Sequence, residues 1–398
     1  MKKFIIMLLI ITIFISIFGE KIGEFYLEKF DINEMINSKE PGIRIFGHLK
    51  KYLETGYSGY LKSSNELRVL YDNVLSFEEK KYFDIMSSFS PNTTIEPIKK
   101  LEELEKNYPE SLLIKTQLTE YYYKQWEITG DPKMAKTILE RIEYIGNKMG
   151  DTPFVVYYKS KFLYESNLYG DKEEAYKLIR EGILKFPENK NLVELYLIIT
   201  SDLNKDLKDS ELYDRIAKSY LKEPEVKENI LLLIAKHFFE DNEKDLAKQI
   251  ILEKVISNTR NSKILLISYE LLGDFADTNI QKMNYYNQAL KFESDNAELL
   301  EKWALSMLKV DKEKYKSLAR IALNKAVTIN PNMSEEARKA LEKLRTEIKI
   351  EVMLKYLLPI LLFVGLSISV LIIYEKKKAR KEKEMILRDE EGDENDGN

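Results

Sequence analysis

Residues 300–333 read LEKWALSMLKVDKEKYKSLARIALNKAVTINPNM, and this stretch decides the fold. Two apolar-periodic segments meet at a short polar turn around Asp311, and Asn330-Pro331-Asn332 ends the second. Proline stops a helix because the residue before it avoids the α region. Trp303 opens the first helix, and Ala319 and Ala326 lie seven apart on the second. Seven residues is close to two helical turns, so both alanines share one face, where a neighbouring helix must come close.

The arrangement recurs upstream. Successive amphipathic segments close at Pro109, Asn147, Pro187, Pro224, Thr259, Ser294 and Pro331, at intervals of 35 to 40 residues. A helix pair with two short turns has about this length, and such periods mark solenoids. Gly170-Asp171 precedes Ala175, Gly182 and Pro187, while Gly130-Asp131-Pro132 precedes Ala135. Ala247 and Ala289 hold the equivalent place in two more units, although Lys254 and Lys282 stand where small residues are expected. Met307 and Val310 also depart from the pattern.

A bulky residue, two small ones and a proline in that order resemble the tetratricopeptide repeat family, over residues 91–333. The resemblance implies an all-α, TPR-like α-solenoid of about six helix-turn-helix repeats whose groove receives a protein or peptide partner. In that family the second, fifth, ninth and twelfth positions of each first helix face the groove. Here they read Tyr157, Ser160, Tyr164 and Asn167 in one unit. Later units give Leu232, Lys236 and Phe239, then Ile264, Ile267 and Leu271, an apolar strip suited to an amphipathic segment. A register shift of one residue returns Leu232, Ile267 and Leu271 to the core, and the residues alone leave both registers open.

The two ends carry different apolar runs. Lys2 and Lys3 precede Phe4–Phe18, too short to span a bilayer comfortably, so residues 1–19 read as a signal peptide or an uncleaved anchor. Tyr356–Tyr374 is 19 residues without a charge, and 351–374 reads as a single-pass transmembrane helix. Lys376, Lys377, Lys378, Arg380, Lys381 and Lys383 follow at once. By the positive-inside rule the tail, 375–398, is cytoplasmic and the repeats lie outside the cell membrane. Gly365 and Ser369, four apart, offer a small-residue face for helix pairing. Between repeats and span, 334–350 reads as a capping helix, with Ser334 as N-cap and Ala337, Leu341, Leu344 and Ile348 on one face. No glycine or proline interrupts 334–358, so this helix is expected to run on into the span.

Composition narrows the function. The chain has 62 basic and 66 acidic side chains, a near-balance that argues against nucleic acid as partner. It has no cysteine and only His48 and His237, so thiolate chemistry is excluded and a histidine-rich metal centre has no material. No phosphate loop or nucleophile motif occurs, and no cofactor is implied. The expected protein is a non-enzymatic scaffold in a cell-envelope assembly. The alternative is a sensory or enzymatic domain in 20–90, carried on the repeats. That region reads as helical over Phe25–Ile36, Ile43–Leu53, Glu66–Leu75 and Glu78–Ser88, with breakers at 38–42 and 55–59. The sequence assigns no oligomeric state.

Overall fold

The computed structural model describes residues 22–393, apart from 205, 206 and 208. The candidate signal segment 1–19 and the last residues of the tail, 394–398, lie outside the described residues. Among those described there are helices and turns and no strand. They divide into two units, with the boundary between His237 and Phe238.

The first unit starts with helix α1 over 22–29 and the five-residue α2 (Ile32–Ile36). Helical hairpins follow in chain order: α3 (Pro41–Thr55) with α4 (Ser58–Leu70), and α5 (Phe77–Ser87) with α6 (Ile95–Asn107). Next come α7 (Leu112–Thr129) with α8 (Pro132–Met149), and α9 (Pro153–Glu165) with α10 (Lys172–Lys185). The last pair is α11 (Lys190–Ser201) with α12 (Ser210–Tyr220). Helix α13 (Glu228–Glu240) carries the unit boundary.

Local chemistry sets these limits. Asp131 accepts from Lys133 N ahead of Pro132, Thr152 accepts from Val155 N ahead of Pro153, and Asp171 and Asp209 cap α10 and α12. Each side-chain oxygen satisfies an amide that has no partner inside its helix. Gly130 ends α7 in the left-handed region (φ 64°), as a C-terminal cap requires. Sequence periodicity joins Phe25 to Ile36 in one helix, but the chain breaks at Phe30, whose φ is 44°. It also starts the helix after the 55–59 breaker at Glu66, whereas α4 already runs from Ser58, because Ser58 and Gly59 fill a first turn that tolerates them.

The second unit holds α14 (Lys244–Gln249), which widens into a π-helix over Ile250–Ile256, then α15 (Ser262–Phe275) and α16 (Asn279–Ala289). Helices α17 (Ala297–Val310) and α18 (Lys312–Ile329) form the hairpin on which the sequence reading turned. Ala319, Ala322, Leu323 and Ala326 are buried against Leu300, Ala304 and Met307, so the small residues do sit at a close helix approach. The π segment explains the awkward Lys254. Its wider turn moves the inward position one residue on, to the buried Val255, and leaves Lys254 exposed.

Helix α19 (Glu335–Val352) begins on Ser334, whose hydroxyl accepts from Ala337 N, and buries Ala337, Leu341 and Leu344 in the α17–α18 core. The side chain of Ile348 lies outside the described residues. Lys312 of α18 pairs with Glu347 at 2.7 Å and Lys316 with Glu351 at 2.8 Å. A π turn over Met353–Leu357 then leads without a break into α20 (Leu358–Asp393). The continuous helix Glu335–Met385 is long and apolar enough to cross a membrane, and its apolar window is fully exposed.

Candidate functional site

The first-helix face of α9 is where the groove reading begins. Tyr157 is half-buried, and Phe30 covers it with ring centroids 5.1 Å apart. Phe30 also packs on Phe154 at 5.3 Å and Tyr158 at 5.9 Å, and only 5% of it is exposed. The chain's own N-terminal segment therefore lies on the surface that the resemblance assigns to a partner. Nothing in the sequence signals this, because the residues involved lie more than a hundred positions apart.

Two asparagines hold that segment. Asn189 caps α11 with its Oδ1, which accepts from Leu192 N at 3.1 Å, and this leaves its amide to donate to the Lys29 carbonyl at 2.6 Å. Asn191 donates to the Phe30 carbonyl at 2.6 Å. Polar clefts flank the crossing. One of about 320 Å³ is lined by Asp31, Asn33, Lys51, Glu54, Asn191 and Glu194 among others, and one of about 270 Å³ by Glu28, Lys29, Glu34 and Lys185. Glu54 keeps an exposed side chain yet has protein on most sides, and this burial pushes its carboxyl up.

Beneath the segment a buried polar centre seats α1. Lys50 of α3 and Glu120 of α7 form an ion pair with both side chains under 9% exposed. Glu120 also accepts from Tyr26 of α1 at 2.5 Å and from Gln117 at 3.0 Å, and Tyr82 of α5 donates to Gln117 at 2.9 Å. Burial, then the Glu120 charge, hold the Tyr26 hydroxyl far above its ordinary value, so it stays a donor. The network ties four helices together and is internally bonded throughout, the condition under which buried charge is tolerated.

The other candidates in the first unit fall apart spatially. Tyr164 donates to Asp202 at 3.2 Å, beside Lys172, and burial followed by that carboxylate pushes its hydroxyl up to about 12. Lys236 is exposed, whereas Leu232 is only 6% exposed and belongs to the core of its own helix pairings. Here the shifted register applies: leucine goes to the dry side of α13. His237 is buried with Nε2 2.7 Å from Asp214, and its ring lies 4.1 Å from that of Tyr213. His48 stacks loosely on Tyr60, and burial, then Arg44, lower its pKa.

In the second unit Phe239 stacks flat on Phe275, centroids 3.9 Å apart and planes 8° from parallel. On α15 the three apolar candidates share one side: Ile267 is 43% exposed, and Ile264 and Leu271 are half-buried. Ser268, Leu272 and Phe275, on the adjoining face, are buried. Lys302 of α17 borders the strip and is ringed by Glu270 at 2.7 Å, Glu298 at 3.1 Å and Asp274 at 3.4 Å. Burial pulls the Lys302 ammonium down, but the three carboxylates outweigh it and hold the group well above its ordinary value. The surround carries three acids to one base. In α20, Gly365 meets nothing within 4 Å of its would-be Cβ, and Ser369 donates to the Gly365 carbonyl at 2.8 Å.

Helix hairpins repeated in chain order, small residues at their crossings and a capping helix define a TPR-like helical-repeat protein. No family model matches the sequence, and no curated protein matches it. Among solved structures the chain is similar to the human IFIT1 dimer with PPP-AAAA, at 18% identity and TM-score 0.35, over 71% of this chain and 67% of that one. It is also similar to the P58(IPK) TPR domain, at 14% identity and TM-score 0.35, over 83% and 78%. Likeness at these scores carries no argument, and the fold assignment stands on the hairpins themselves.

Proposed function

We propose that the chain is a non-enzymatic repeat platform, anchored in the cell membrane by α20, that holds a protein segment outside the cytoplasm as part of an envelope assembly. One observation carries the reading: Ile264, Ile267 and Leu271 form a partly exposed apolar strip on α15 at helical spacing. Apolar surface bordered by charge suits an amphipathic helix laid along it. The three carboxylates around Lys302 favour a partner segment with basic residues at its edge. The near-equal totals of basic and acidic side chains favour a protein over a nucleic acid as partner. The exposed apolar window of α20, followed by the Lys376–Lys383 basic block, supports an anchor with its tail inside.

The test is Ile267→Lys in the full chain, followed by crosslinking in native membranes. Loss of the crosslinked partner with helicity and melting temperature unchanged supports the reading. A melting temperature lowered by several degrees with the partner retained would return Ile267 to the core and sink it.

A further inference from the structure

Residues 28–33 lie across α9 and α11 as a bound peptide would. An aromatic side chain fills a box of aromatic rings, and two side-chain amides grip consecutive main-chain carbonyls, those of Lys29 and Phe30. The segment is the junction of α1 and α2, and the contacts fall on one aromatic anchor and on the carbonyls that close α1. The amides come from Asn189 and Asn191, about 160 positions away, so the fit is made by the folded surface and not by local sequence.

The crossing also carries local backbone strain. Phe30 sits at φ 44°, a region that bulky side chains rarely adopt and that persists only where the surroundings impose it. Open polar clefts reach it from both sides. The neighbouring α1 differs. A Cβ on Gly23 would come within 2.6 Å of Leu113 N, and Tyr26 is bonded into the buried Lys50–Glu120 centre. Opening at Phe30 frees one ring and the carbonyls at the end of α1 while the body of α1 stays seated.

We propose that the α9–α11 face is a second peptide-binding site, distinct from the α15 strip, and that residues 28–33 are its resident ligand. The partner it fits is a peptide segment that offers one aromatic residue, able to take a left-handed backbone, with two free carbonyls at and before it. The resident segment lowers the site's apparent affinity by the fraction of time it is seated.

Two measurements on the full chain in detergent decide this. Hydrogen exchange on the unaltered protein should show amides 28–33 exchanging about tenfold or more faster than those of α7 and α11, the mark of a local opening. Equal protection would make the segment ordinary core and overturn the proposal. The second uses Phe30→Gly, because glycine suits the left-handed turn and empties only the ring box. A fluorescent peptide copying residues 26–36 should bind this variant about tenfold tighter than the unaltered chain, and the same peptide with alanine at the Phe30 position should not bind. Equal binding of the copy peptide to both chains would overturn the proposal.

Discussion

Glu105 shows how single side chains lock one hairpin to the next. It lies on α6 and receives both arms of Arg141 from α8, at 3.0 and 2.9 Å, and Lys115 from α7 at 3.1 Å. Burial alone would raise its carboxyl, but the Arg141 fork and then Lys115 hold it below the ordinary carboxylate value. A depressed carboxylate stabilises the fold fully above its unfolded pKa, and that stability is lost as pH falls through the folded value. Arg141→Met should therefore lower stability near neutral pH by about 1–3 kcal/mol, the cost of an orphaned charged hydrogen-bond partner. The deficit should shrink below about pH 4.5, where Glu105 protonates in the unfolded chain and then in the folded one. Urea titrations of both chains from neutral pH to pH 3 check this, and a deficit independent of pH would mean that Arg141 acts through packing alone.

At the scale of elements, small residues mark where helices touch. Gly182 of α10 is the sharpest case: a Cβ there would stand 2.5 Å from Val156 Cγ1 of α9. Gly182→Leu should cost about 1–3 kcal/mol through overpacking, read as a lower urea midpoint with unchanged slope. Full stability would mean that α9 and α10 can part freely. The positions of Ala135, Ala175, Ala319 and Ala326 were legible from spacing because steric demand at a crossing is local and periodic. Three kinds of feature were not legible. The π-helix over Ile250–Ile256 shifts its inward face by a residue, and no composition signal marks it. Leu232 reads as groove or core according to a register that sequence leaves free by one residue, and burial decides for the core. The seat of Phe30 on Tyr157 depends on chain segments that only the fold brings together.

For the whole molecule, the testable matter is the membrane topology proposed above. The reading places the repeats outside and the tail inside, from the basic residues that follow Tyr374. Protease added to intact spheroplasts should digest α3–α18 and spare an epitope fused after Asn398. Repeats that survive while the epitope is lost would reverse the orientation.

The unbroken path from α19 to α20 has a geometric result. The core contacts of Ala337, Leu341 and Leu344, with the Lys312–Glu347 and Lys316–Glu351 pairs, fasten the α17–α18 hairpin to this helix down to its last residues before Met353. A helix that continues through Pro359 without a break passes on rotation about its own axis. The compass bearing of that hairpin about the axis of α20 then follows the residue count, with each residue added or removed at the junction turning it by about 100°. The π turn at Met353–Leu357 packs more residues into its turn than an α-helix does, and so it is a built-in adjustment of that bearing.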